Sequence, residues 1–181
     1  MYRIQRIKEV SCCSVNLFNL FNLFQPIELS TMQLQWTCKY FDELTVHELY
    51  AIIRLRNEVF VVEQDCVFQD ADNIDQQCYH LMGFNEDGLV AYTRLVPAGV
   101  TYTEMSIGRV VNSPKCRGNG AGKALMQQSI EACYRLFGKQ NIKIGAQLYL
   151  KKFYEGFGFV QCSEVYDEDG IDHIKMVKTT T

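Results

Sequence analysis

The sequence predicts a mixed α/β fold, a mostly antiparallel twisted sheet flanked by helices, on three observations. Hydrophobic spacing switches repeatedly between a period of two and steps of three and four, so strands and helices are interspersed. The elements run strand, helix, three strands, helix, strand, helix and a final hairpin, and meanders of that kind exclude the regular alternation of a doubly wound parallel sheet. A glycine-rich basic stretch, KCRGNGAGKALM at 115–126, opens the longest helical pattern.

Taken in order, LQWTCKY alternates Leu34, Trp36, Cys38 and Tyr40 on one side and reads as a strand. Thr45 and Glu48 form a capping box, after which Val46, Leu49, Ile53 and Val59 follow at helical spacing. VVEQDCVFQDADNIDQQC is acidic and irregular, the pattern of an exposed loop or short helix. YHLMGF and LVAYTRLV flank Asp87-Gly88, which supplies hairpin turn chemistry. EMSIGRVVN is a third strand of this meander and stops at Ser113-Pro114, since proline has no N–H to give a ladder. Met126, Ile130, Cys133 and Phe137 then mark a helix that Gly138 ends. IKIGAQL, a helix around YLKKFYEGF, and two strands joined by DEDG complete the chain.

Residues 1–31 have a different texture, a basic start followed by SCCSVNLFNLFNLF and Pro26. They lack a small-x-small cleavage site and are too short to span a bilayer. They are expected to be an extension outside the fold, leaving one domain over 32–181, a length able to bury its own core.

A formal charge of −3 provides no basic field for nucleic acid. Eight cysteines without a C-x-x-C pair and three histidines far apart give no nucleus for a metal site, and the thiols fit the core of a reduced cytoplasmic protein. The expected partner is a small molecule, with no membrane and no metal, and a homodimer is left open.

Glycines beside a helix start point to an anion, and three phosphate cradles are distinguishable by spacing. A Walker loop fails, because Gly118 and Gly122 enclose three residues instead of four and Ala124 stands where a magnesium ligand is needed. A dinucleotide fingerprint fails because the run is G-x-G-x-G and follows a meander. The third cradle, R/Q-x-x-G-x-G/A, is filled in register by Arg117, Gly120 and Gly122. Backbone amides over Arg117, Gly118, Asn119, Gly120, Ala121, Gly122 and Lys123 would hold a pyrophosphate. The preceding strand, splayed beyond Arg109, would offer Val110 and Val111 to an extended ligand arm. Such a ligand is coenzyme A.

At these residues the chain resembles the GNAT superfamily of acyl-CoA N-acyltransferases. RLRNEVFVVEQ, AYTRLV, IGRVVNSPKCRGNGAGKALM, GAQLYLKKFYEGFGF and EVYDEDGIDHIKM, in that order from about Met32 almost to the end, are similar to its ElaA-type subgroup. The resemblance implies a GNAT fold with the sheet splayed at the coenzyme, acetyl-CoA as donor and a primary amine as acceptor, joined by direct attack in a ternary complex. It implies Tyr154 in FYEGFGF as the general acid, and it puts Arg56, Glu63 and Gln64 near the acceptor pocket. A structural Arg56–Glu63 pair would explain two of these without a substrate. The oxyanion donor is expected at the Val110 or Val111 amide, and Gln147 would bond the coenzyme or adjacent backbone. Glu63, Glu104, Glu168, His80 and His173 are all chemically able to serve as base. None is singled out by spacing; Glu63 is taken as the base and His80 as an acceptor-side residue. Arg94 and Arg109, lying within strands, are expected to pair with nearby carboxylates. A non-catalytic acyl-CoA sensor and an acyl-homoserine-lactone-synthase-like enzyme remain as alternatives.

Overall fold

A computed structural model describes residues 34–180, so the extension expected over 1–31 lies outside the described residues. Strand β1 (Gln35–Tyr40) leads into helix α1 (Val46–Arg56). The capping box forms as read: Glu48 N–H donates to Thr45 Oγ1 at 3.2 Å, and Thr45 N–H donates to Glu48 Oε2 at 2.8 Å. Beyond Arg56 the helix does not stop but widens into a π-helical turn, Asn57–Glu63. The acidic stretch follows as irregular chain with one 3₁₀ turn at Asp75–Gln77.

Strands β2 (Tyr79–Asn85), β3 (Gly88–Val96) and β4 (Met105–Asn112) form the meander. Helix α2 (Ala121–Phe137) comes next and ends at Gly138, whose φ of 79° only glycine adopts without strain. Strand β5 (Ile142–Gln147), the short helix α3 (Lys151–Glu155), β6 (Val160–Gln161), β7 (Tyr166–Glu168) and β8 (Ile171–Lys178) complete the chain. The two-residue β6 has no counterpart in the sequence reading; a strand that short carries no periodicity to detect.

The strands form one sheet in the order β1-β2-β3-β4-β5-β8-β6, with β7 also on β8. Every pairing is antiparallel except β4 with β5. Alternation sorts the side chains between two layers. Leu81, Leu95 and Ile107 share a core with Leu125, Met126 and Cys133 of α2. Met82, Tyr92 and Val111 join Ile52 and Leu55 of α1 and Val59 of the π-turn.

The outer register is fixed where Trp36 of β1 faces Gly83 of β2. A Cβ on Gly83 would stand 2.7 Å from Trp36 Cζ3 and 3.1 Å from Ala91 Cβ. Gly83→Ala is therefore expected to destabilise the fold by about 1–3 kcal/mol, the usual cost of overpacking, read as a lower urea midpoint with an unchanged slope.

Candidate active site

Strand β5 meets β4 at only two positions, Met105 with Ile142 and Ser106 with Lys143. Past Ser106 the two strands part, three residues earlier than the sequence placed the splay. A bulge in β4 accompanies the opening. Tyr92 faces Val111 and Arg94 faces Gly108, so Arg109 and Val110 together oppose Thr93. Arg109 carries the φ of 50° that lets the chain bend there. The gap becomes a cavity of about 350 Å³, with Val110 on its β4 side, Gln147 on its β5 side and Tyr154 of α3 on its wall. Burial pushes the Tyr154 hydroxyl well above the ordinary phenol value, so it stays protonated at neutral pH. Gln147 donates from Nε2 to Gln64 Oε1 at 3.3 Å, and both residues line the cavity.

A second wall is made by the acidic segment, held down by three arginines. Arg56, on the last turn of α1 and only 1% exposed, reaches Asp70 Oδ2 at 2.7 Å and Asp75 Oδ1 at 2.8 Å. Arg94 of β3 grips both oxygens of Asp72, at 2.6 and 2.7 Å, and touches Asp75 at 2.9 Å. Arg109 places Nε 2.7 Å from Asp70 Oδ1 and Nη2 3.2 Å from Asp72 Oδ2. Three guanidinium groups thus meet three carboxylates, and Arg94, Arg109 and Asp72 border the cavity. Burial acts to raise the Asp72 carboxyl, but hydrogen bonds and charge attraction from Arg94 outweigh it and hold the group down at about 2.

The glycine loop lies at the start of α2, apart from the cavity lining. Gly118 and Gly120 have φ of 80° and 87°, and nothing stands within 4 Å of where a Cβ would project from either. Gly120 is the N-cap of α2. Of the leading amides, Ala121 N–H donates to Asn119 Oδ1 at 3.2 Å, while Gly122 and Lys123 in the first turn have no intrahelical carbonyl to bond. This open, glycine-lined helix start suits a pyrophosphate.

The expected site residues divide accordingly. Gln64, Val110, Gln147 and Tyr154 line the cavity. Arg117, Gly118, Asn119, Gly120, Ala121, Gly122 and Lys123 form the loop and the first turn of α2. Four others have side chains that do not line the cavity. Val111 turns its side chain into the α1 layer. Arg56 is spent on Asp70 and Asp75, so the alternative of an Arg56–Glu63 pair does not form. Glu63 instead receives Arg117, whose Nη2 donates to Glu63 Oε2 at 2.8 Å, and that hydrogen bond lowers the Glu63 carboxyl. His80 is fully buried: its Nδ1 lies 2.8 Å from the Tyr92 hydroxyl and its Nε2 3.0 Å from the Asp75 carbonyl. Burial lowers its pKa and favours the neutral ring. The pairing expected for Arg94 and Arg109 is present. Tyr102, Glu168, Asp169 and His173 also border the cavity. Spacing does not single out Glu168 or His173; for His173 the two-residue alternation along β8 is the available signal, since it shares a face with Ile171.

The sequence pattern of the acetyltransferase (GNAT) domain matches residues 57–180, more than half of the chain. The chain belongs to the GNAT family. Protein ElaA of Escherichia coli is 40% identical over 147 residues, covering 80% of this chain and 96% of ElaA. The ElaA crystal structure superposes with a TM-score of 0.76 at 39% identity, covering 81% of this chain and 99% of that one. An acyl-CoA N-acyltransferase from Pseudomonas aeruginosa gives a TM-score of 0.78 at 42% identity, covering 81% and 100%. A UPF0039 protein of Schizosaccharomyces pombe is 44% identical over 145 residues, covering 79% of this chain and 95% of its own. These likenesses fit the ElaA-type subgroup and a GNAT protein of acyl transfer. Among the described residues no group of three metal-ligating side chains occurs, and no helix is long and apolar enough to cross a membrane.

The arginine–aspartate wall makes stability depend on acid. Asp72 has its folded pKa below the unfolded value of about 3.9, so its contribution is complete above that pH and is lost as pH falls toward about 2. Urea midpoints measured from pH 6 to pH 2 should fall in that window, and Asp72→Asn should flatten the fall while lowering stability at pH 6.

Proposed function

We propose that this protein is an N-acetyltransferase that carries an acetyl group from acetyl-CoA to a primary amine by direct attack within a ternary complex. The observation that carries this reading is the parting of β4 from β5 together with an open, glycine-lined helix start on the helix that follows β4. The pyrophosphate would rest on amides of the loop from Arg117 to Lys123, and the pantetheine arm would run along β4 into the gap. A cavity of about 350 Å³ must hold the thioester end and the acceptor together, which favours a short acyl group.

Alignment of two substrates supplies most of the acceleration. In the reaction the amine nitrogen bonds to the thioester carbon, and charge develops on the carbonyl oxygen. The Val110 amide, at the bulge, is suited to donate to that oxygen, with Val111 next in line on the same strand. As the C–S bond breaks the thiolate needs a proton, and Tyr154 holds one at the cavity wall. Glu63 is not carried forward as the base, because its carboxylate is committed to Arg117 outside the cavity lining. Free cysteines at six described positions suit the reducing cytoplasm in which acetyl-CoA is available.

Thiol release from acetyl-CoA, followed over a panel of polyamines, amino sugars, amino acids and peptides, should show turnover on at least one acceptor. Tyr154→Phe should cut that turnover by about 10²–10⁴-fold and leave coenzyme affinity unchanged. Gly120→Ala, forced to φ of 87°, should weaken coenzyme binding by about five- to thirtyfold. Binding of acetyl-CoA without release on any acceptor would replace catalysis by a sensor. Absence of binding would remove the proposal altogether.

A further inference from the structure

We propose that His173 is the general base of the reaction, taking the proton from the acceptor ammonium on its Nε2; this rests on the acyltransferase reading above. His173 sits on β8 directly across from Gln147 of β5 and borders the same cavity as Tyr154. Its Nδ1 lies 2.8 Å from the carbonyl oxygen of Ile171. A carbonyl only accepts, so Nδ1 must be the atom that carries hydrogen. The neutral ring is thereby fixed in the tautomer whose Nε2 presents a lone pair. No hydrogen bond or ion pair among the described residues occupies that nitrogen. The ring rests against Tyr166, with centroids 5.9 Å apart and planes inclined by 31°, which holds its orientation.

Three of the other candidate bases are committed or remote. His80 uses both ring nitrogens inside the core. Glu63 is held by Arg117, and Glu104 lies 3.7 Å from Lys143 without bordering the cavity. Glu168 does border it, on β7 opposite Ile171 and away from Gln147, and is set against His173 in the test below. The groups around His173 are Tyr166 and Glu168 on β7, Lys175 two residues along β8, Tyr154 on α3, and Arg94 and Arg109 across the cavity, the last two neutralised by aspartates.

The proton count closes with these two residues. The ammonium gives one proton to Nε2; the freed amine forms the C–N bond; the C–S bond breaks with its electron pair on sulfur. Sulfur takes the Tyr154 proton, the proton lost by nitrogen as the amide forms returns to the phenolate, and the imidazolium releases its proton to solvent. The products are amide, thiol and one proton.

The test compares wild type, His173→Gln and Glu168→Gln on a pair of acceptors with the same carbon skeleton. One is the alkylamine, protonated at neutral pH. The other is the alkoxyamine, already neutral. For His173→Gln, kcat on the alkylamine should fall by about 10²–10³-fold and on the alkoxyamine by less than about tenfold, with acetyl-CoA affinity unchanged. Glu168→Gln should show no such selectivity. Equal losses on both acceptors, no loss, or selectivity found in Glu168→Gln instead would overturn the assignment while leaving acyl transfer intact. Should wild type itself transfer to no amine, the acyltransferase reading fails and this base goes with it.

Discussion

The arrangement depends on a cluster of three arginines and three aspartates. The segment from Gln64 to Cys78 has few apolar side chains to bring it down onto the sheet, and a chain that polar would ordinarily stay in water. Arg56, Arg94 and Arg109 lie on α1, β3 and β4, at places where burial of an unpaired charge would cost far more than the fold can bear. Each can be buried only if a carboxylate arrives, and Asp70, Asp72 and Asp75 lie on that segment. The attraction contributes little net stability once desolvation is counted, but it specifies where the segment lies. A wall of the cavity is thereby made from chain that hydrophobicity would have left loose.

Arg109 links this wall to the opening of the sheet. It is the residue of positive φ in the bulge, and its guanidinium is also the one that joins Asp70 to Asp72. Bending β4 away from β5 and pinning the acidic segment are therefore coupled through one side chain. In the proposed reading the same bend would present the strand's backbone to the ligand arm, and the first amides of α2, just after the loop, would take its pyrophosphate. A donor held in that way would need few specific side chains, since glycines and a bulge leave the backbone itself to make the contacts.

The Glu63–Arg117 pair ties the π-turn to the glycine loop. It is half exposed, so its energetic worth is small. Its consequence is chemical: a carboxylate that sequence alone offered as a base is spent on an arginine that sequence alone offered to the coenzyme. The proposed base instead lies on the cavity wall where β8 faces β5.

What the sequence determined by itself was local. The capping box at Thr45 and Glu48, the meander with its Asp87-Gly88 turn, the helix from Ala121 to Gly138 and the glycine loop are encoded within a few residues, where propensity and period act directly. The loop spacing and the block order were enough for the family, and the location of Tyr154 followed from its motif. Only the tertiary structure decided which charges meet: Arg56 could reach Glu63 or the aspartates further on, and distance along the chain cannot choose. Likewise the place of His173 opposite Gln147 comes from strand register, and the early parting of β4 from β5 is a matter of which strands pair and for how long. Long-range pairing is set by which arrangement buries the most surface with every charge answered, a condition on the whole chain that no short stretch of it contains.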